Sequence, residues 1–502
     1  MILVYSPLGI YLSFMPLVKA ESVLIGNGRV LAAGDYERLA RLPSVKEELV
    51  SKKPLGPGFI DAHLHLDSLG FELYSEKLVV DNIRSLIESL KNKEPMVGGW
   101  LLPGRVDPSK LKENRLPTRL ELDEISREKP ILIIHQSGHM GALNTKGLKM
   151  VLEVMGKRSE IDYERGYVYE TSLWEILDFI RRTATDKDLE EFFERAYELL
   201  REKGISAIGL AGIRIREFEL LLSFYKENVT RVRTYVYLLA DEVLSRWREV
   251  KKLLDTSLPE RLRLNGLKIL IDGALGPRTA LLSEDYSDAP GVKGLKNVSP
   301  EFMVEALTLA EEHELQLAMH AIGDAALDMA LDVLEKSRNP GIHRIEHASL
   351  VRDDQLEMIA RWKPLLVVQP RFIISDKWIL SRLGVERAKW VYRFKTLRKL
   401  TTVAFSTDAP VEPVDPFETI YAAVTRGLRD NVDYGYDHMY EAYTLIEALD
   451  AYTRGGGLAL RDERLGCLLP GCYADIVEYS NDPLRVSDVT EIRYLSARLI
   501  PL

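Results

Sequence analysis

The middle of the chain is punctuated by short apolar runs that each end on polar residues. They are GFIDAHLH (58–65), PILIIHQSGH (130–139), SAIGLAG (206–212), RVRTYVYLL (231–239), LKILIDG (267–273), LQLAMHAIGD (315–324), HRIEHA (343–348), PLLVVQP (364–370) and TTVAFSTDAP (401–410). Near-continuous Val, Ile and Leu over such lengths fits strands covered on both faces, as in a parallel sheet. Helical stretches separate many of them, among them DLEEFFERAYELLREKG (188–204) and DAALDMALDVLEKS (324–337). This alternation predicts an α/β fold with a (β/α)8 TIM barrel, which needs eight strands. Nine runs are one too many, and the gap from residue 65 to 206 is far too long for one crossover. An insertion over 72–186, after the first strand, is therefore expected to contain the run at 130–139 and to cover the pocket.

The two ends of the chain are patterned differently. Residues 10–34 read as strands, with SVLIGNGRVLAAG a hairpin turning at Gly26-Asn27-Gly28. The stretch LGCLLPGCYADIVEYS (465–480) reads as strand, Pro-Gly turn, strand. Residues 1–56 and 446–502 are thus expected to build a small composite β-sandwich beside a barrel domain at 57–445. The opening segment is uncharged until Lys19, but it lacks a basic n-region and Pro7 and Pro16 interrupt any helix. Strands and turns are expected there rather than a signal peptide. No other run is long and apolar enough to span a membrane.

Composition narrows the partners. The 502 residues carry a formal charge of -9 with Lys and Arg spread along the chain, which leaves no basic stripe for nucleic acid. A small-molecule substrate is expected, with neither nucleic acid nor membrane as partner; monomer and homodimer are both compatible. Two cysteines exclude a disulfide framework and suit a reducing cytoplasm. Cys467 and Cys472 have no second pair to make a zinc ribbon and read as small structural residues.

The candidate chemistry lies at strand ends. Of nine histidines, His63 and His65 end the first run, His320 ends LQLAMH and His347 ends RIEH, while Asp408 ends VAFSTD. Residues two apart on a strand share a face, so His63 and His65 point one way. In an α/β barrel the C-terminal strand ends meet on one rim. Four imidazoles and a carboxylate there suit a divalent ion, whether zinc, manganese, iron, cobalt or nickel. Blander roles stay open at each position. Lys268 could pair with Asp272 on its own strand face, and Asp408 could cap the helical stretch that follows it.

The order His63-x-His65, Lys268, His320, His347, Asp408 resembles the amidohydrolase superfamily of metal-dependent hydrolases. LKILIDGALGPRTALLSEDYSDAPG, MHAIGDAALDMALD, RIEHASLV and TDAPVEPVDPFETIYAAVTR are similar to its amidohydrolase-3 (YtcJ-like) branch, which includes N-substituted formamide deformylases. The resemblance implies that His63 and His65 hold one metal, zinc being the expected ion, and that His320 and His347 hold a second. Lys268 would then be a CO2-derived carbamate bridging the two. Asp408 would bind metal and shuttle the proton as the catalytic residue.

The implied reaction is hydrolysis of a C–N amide-type bond through a metal-bound hydroxide. Ester or lactone hydrolysis, a non-hydrolytic step and plain metal or ligand binding are the alternatives. Arg278, in GPRTA, could orient substrate or stand in a structural ion pair. His139, in HQSGHMGALNTKGL, could touch substrate or be structural. Relatives commonly read Asp-Gly-His where this chain has Ser137-Gly138-His139, which weakens any substrate carried over.

Overall fold

The computed structural model describes residues 1–74, 80–94, 96–136, 140–228, 230–254, 256–432, 434 and 438–501. They form two compact units, Met1–His65 with Tyr197–Leu502, and Leu66–Ala196. Five strands come first: β1 (Ile2–Ser13), β2 (Val18–Gly26), β3 (Arg29–Gly34), β4 (Glu47–Val50) and β5 (Leu55–Pro57). β6 (Phe59–Leu64) opens the barrel. The second unit supplies β7 (Arg105–Val106), β8 (Leu132–His135), β9 (Met140–Leu143), β10 (Ile161–Asp162) and β11 (Tyr167–Tyr169). The barrel continues with β12 (Ile205–Ile213), β13 (Arg233–Leu239), β14 (Leu262–Leu270) and β15 (Gln316–Ala321). It ends with β16 (Arg344–His347), β17 (Leu365–Val368) and β18 (Val403–Phe405), before β19 (Ile476–Tyr479) and β20 (Ala497–Leu499).

Strands β6 and β12 to β18 form an eight-stranded parallel sheet in chain order. Its ends meet, because Asp408 N–H donates to His63 O at 2.9 Å and His65 N–H donates to Ala409 O at 2.8 Å. The sheet is therefore a (β/α)8 barrel, with helices such as Pro300–Glu312 and Asp324–Leu334 between strands. Register fixes its interior. Lys268 lies opposite Ala318 and Leu270 opposite His320, while Arg344 and Glu346 lie opposite Ala318 and His320. Residues paired in register share a face, so one lining holds Lys268, Leu270, His320, Arg344 and Glu346. Close approach of β12 to β6 depends on Gly209, where a Cβ would stand 2.0 Å from Ala62 O.

Strands from both ends of the chain share a separate seven-stranded sheet, ordered β20-β19-β5-β1-β2-β3 with β4 on β1. Val4, Ile10 and Leu12 of β1 pack with Val23, Ile25, Leu55 and Ile476 in one core, and Leu3 joins Leu24 and Leu39 in another. Asn27 and Gly28 turn the β2–β3 hairpin with φ of 52° and 69°, the pair of positive values that matches strand twist in a type I′ turn.

Two expectations need correction here. Residues 465–472 form no strand, and only the later part of that stretch becomes one, β19. Its backbone is tied to β1 and β3 instead, by Leu468 N–H to Leu12 O and Gly471 N–H to Val30 O, both 2.8 Å. Cys467 and Cys472 are not free small residues but a disulfide. The intervening Pro-Gly turn brings their Cα atoms to 6.0 Å, within the ordinary span of such a bond.

In the second unit the run at 130–139 supplies β8 of a five-stranded sheet ordered β10-β11-β9-β8-β7. The ninth run is thereby outside the barrel. This unit, at Leu66–Ala196, is wider than 72–186 and has its own core around Leu86, Leu90, Leu122 and Ile131. Among the described residues no helix is long and apolar enough to cross a membrane.

Candidate metal centre

Three buried side chains converge at the C-terminal end of the barrel. One ligand atom each from His63, His347 and Asp408 lies within 4.8 Å of the others. Asp408 Oδ1 stands 3.3 Å from His63 Nε2 and 3.1 Å from His65 Nε2. It is buried and hydrogen-bonded to neither. The backbone is bent to achieve this, with φ of 72° at His347 and 57° at Asp408. Such values are costly for residues with a Cβ and persist only where the surroundings impose them.

The far side of each imidazole is tied down. His63 Nδ1 lies 2.6 Å from Glu346 Oε2. A carboxylate oxygen can only accept, so Nδ1 carries a proton, and Nε2 is the ring atom that faces Asp408. His347 Nδ1 lies 2.7 Å from Gln369 Oε1, and the Gln369 amide nitrogen donates to Ser406 Oγ at 2.9 Å. The amide orientation this implies leaves Nε2 as an acceptor. Burial, and then neighbouring His320, push His347 well below the ordinary imidazole range, so its ring is neutral and able to ligate.

Glu346 belongs to a fully buried network. Arg344 donates through Nε to Oε1 and through Nη2 to Oε2 at 2.9 Å, and also to Tyr237 Oη at 2.9 Å and Ala62 O at 2.7 Å. Burial alone would raise the Glu346 carboxyl, but Arg344, His63 and Lys268 hold it well below its usual range. Asp61 braces the same corner of the barrel, accepting from Thr407 N–H at 3.1 Å, Thr407 Oγ1 at 2.6 Å and Tyr452 Oη at 2.9 Å. Asp408 itself is opposed by burial, yet the His63 and His65 imidazoles keep it well below the carboxylate range. It is ionised at neutral pH.

Lys268 and His320 complete the group from β14 and β15. Lys268 Nζ is buried without a hydrogen-bond partner, and burial lowers its pKa to about 8 against the pull of Glu346 and Asp408. The expected pairing with Asp272 does not occur. Asp272 lies beyond the end of β14 and accepts from the backbone N–H groups of Leu281, Ile322 and Gly323 at 2.9, 3.1 and 2.8 Å. His320 Nε2 faces Gly273 O at 3.0 Å; a carbonyl only accepts, so Nδ1 is left as the lone-pair atom. Burial and Lys268 bring His320 to about 4. An unpartnered carboxylate oxygen, an unpartnered amine and the neutral imidazoles of His320 and His347 are a donor set that fits a divalent cation.

His63, His347 and Asp408 form one group, with His65 Nε2 3.1 Å from Asp408 Oδ1 and the His320 ring 4.4 Å from that of His347. Asp408 is not a helix cap, because the helix Pro416–Thr425 is capped by Asp415, which accepts from Phe417 N–H at 3.0 Å. Arg278 forms a two-pronged pair with Asp288, both contacts 2.9 Å, which is the structural alternative raised for it. His139 lies outside the described residues. Sequence reasoning missed Glu346, Gln369 and Asp61; Arg344 and Glu346, two apart on one face of the four-residue strand β16, were a legible sign of an ion pair.

Comparison with known proteins agrees along nearly the whole chain. The amidohydrolase family matches residues 53–499. The crystal structure of an uncharacterised metal-dependent hydrolase from Pyrococcus horikoshii OT3 is 36% identical with a TM-score of 0.83, over 97% of this chain and 98% of that one. The Bacillus subtilis (strain 168) protein YtcJ is 28% identical, over 93% of this chain and 92% of its own. An N-substituted formamide deformylase from Arthrobacter pascens is 26% identical over 93% and 91%. With its closed barrel and its site at the strand ends, this chain belongs to the amidohydrolase family.

Proposed function

We propose that the protein is a metal-dependent hydrolase that cleaves a C–N amide-type bond of a small molecule. The observation that carries this reading is the convergence of His63, His347 and ionised Asp408, with the outer nitrogens of both imidazoles already committed to Glu346 and Gln369. His63, His65, His320, His347 and Asp408 would hold one or two divalent ions, with zinc the expected metal. A bound divalent ion supplies Lewis acidity towards a carbonyl and brings the pKa of water towards about 7.

The chain's own residues supply the rest. Asp408 would accept the proton of the attacking water and pass it to the leaving amine, as general base and then general acid. Glu346 and Gln369 fix the two ring orientations, so the ligand atoms need no reorganisation. Lys268, with a pKa of about 8, keeps a fraction of free amine at neutral pH. That is the form that adds CO2: the amine nitrogen bonds to the carbon and releases a proton, giving a carbamate that could join two ions.

The test is a turnover screen of the metal-loaded protein across amides, formamides, cyclic ureas and lactones, repeated with Asp408→Asn. Turnover of C–N substrates that falls by about 10²-fold or more in the variant supports the reading. Turnover of lactones alone would transfer the site to ester chemistry. A fully metallated protein inert to every class would be a binding protein.

A further inference from the structure

The inner face of β14 carries Lys268 and then Leu270, with Asp272 just beyond the strand. Lys268 and Asp272 are each 2% exposed, whereas Leu270 between them is 45% exposed. The alternate residues Ile269 and Ile271 are buried, so β14 stays packed on its outer side while Leu270 remains open on the inner one. A solitary exposed leucine on a convex surface needs no explanation. This one ends a barrel strand on the lining, where a (β/α)8 fold places its chemistry.

Its neighbour across the sheet is an imidazole. Leu270 is the register partner of His320. The His320 ring lies 4.4 Å from that of His347, which is stacked 6.3 Å from Phe372 with 13° between planes. The imidazole pair is thus flanked by an open leucine on the β14 side and by an aromatic ring on the other. Leu270 offers no hydrogen bond, so a charged or strongly polar group set against it would lose water without a replacement. A hydrocarbon group set there would gain by leaving water.

We infer that Leu270 is a specificity-determining contact, and that the substrate carries an alkyl or aryl substituent beside the scissile bond. This rests on the hydrolase reading above and deepens it from an amide-type bond in general to amides with an apolar substituent.

The experiment measures binding rather than turnover. Acetohydroxamate, butyrohydroxamate and hexanohydroxamate, which share a metal-chelating head and differ only in chain length, are titrated calorimetrically into the zinc-loaded full chain. A buried methylene is worth roughly a fourfold change in Kd, so wild type should bind each longer homologue more tightly by about that factor per methylene. Leu270→Asn should cut the increment below about twofold, and Leu270→Met, which restores an apolar side chain, should bring it back. Leu270 is half-exposed, so neither change disturbs packing. Affinity independent of chain length in wild type, or an undiminished increment in Leu270→Asn, would overturn the assignment while leaving the metal centre standing. Failure of all three hydroxamates to bind zinc-loaded wild type would bring down the metal-centre reading, and this inference with it.

Discussion

Arg344 stands one step behind the candidate metal centre, and its removal should separate stability from metal binding. The guanidinium is fully buried and makes two hydrogen bonds to Glu346, one to Tyr237 and one to Ala62 O. In Arg344→Met the Glu346 carboxylate would keep only His63 and Lys268 nearby to offset burial. Breaking one side of a buried pair costs about 3–5 kcal/mol, because the remaining charge is uncompensated. Part of that is relieved if Glu346 takes up a proton, but a protonated Glu346 no longer holds the proton on His63 Nδ1. Metal affinity should then fall about 10–100-fold, the usual cost of losing a supporting carboxylate behind a ligating histidine. The double variant Arg344→Met/Glu346→Leu removes both charges and should regain most of the stability, yet bind metal no better than the single variant. Urea unfolding measures the first quantity, and competition with a chromophoric zinc chelator the second. The reasoning fails if Arg344→Met lies within about 1 kcal/mol of wild type, or if the double variant recovers wild-type metal affinity.

Other expectations follow from the same geometry. Only the neutral amine of Lys268 adds CO2, and its pKa is about 8, so carbamate should grow in as pH rises from 7 to 9; the carbonyl signal of ¹³C-bicarbonate-treated protein reports it, and Lys268→Arg should show none. Burial raises the Asp376 carboxyl to about 6, above its unfolded value, so its contribution to stability is present in acid and is lost as pH rises through about 6. Asp376→Asn, which can still accept from Tyr392 Oη, should therefore raise the thermal midpoint at pH 7 and give no gain near pH 4. Arg278→Ala should lower thermal stability slightly and leave KM for any substrate found unchanged, because its guanidinium is spent on Asp288; a tenfold rise in KM would return Arg278 to substrate binding.

The barrel was legible because most of its strands are largely buried and announce themselves as apolar runs, from Phe59–Leu64 to Val403–Phe405. The ninth run, at 130–139, was assigned to the insertion by the length of the gap around it, and β8 does belong to another sheet. His63, His347 and Asp408 were legible from their places at strand ends. What held them in position was not, because hydrogen-bond partners are set by register and closure. Gln369 reaches His347 from the next strand, and Asp61 meets Thr407 only once the first and last strands join. The glutamines were a missed hint. The chain has four, and Gln316, Gln355 and Gln369 are all buried, which for so polar a side chain means a hydrogen-bonding task. The disulfide was not legible from a spacing of five alone, because what brings Cys467 and Cys472 together is the Pro-Gly turn between them.

Metal content is the most direct measurement. Wild type, His63→Ala/His347→Ala and Lys268→Ala are purified with bicarbonate and without chelators, and divalent metal per chain is determined by elemental analysis. One or two ions in wild type, none in the double histidine variant and fewer in Lys268→Ala is the predicted result. A wild-type protein that holds no metal, or a double histidine variant that holds as much as wild type, would contradict the assignment of these residues as a metal centre.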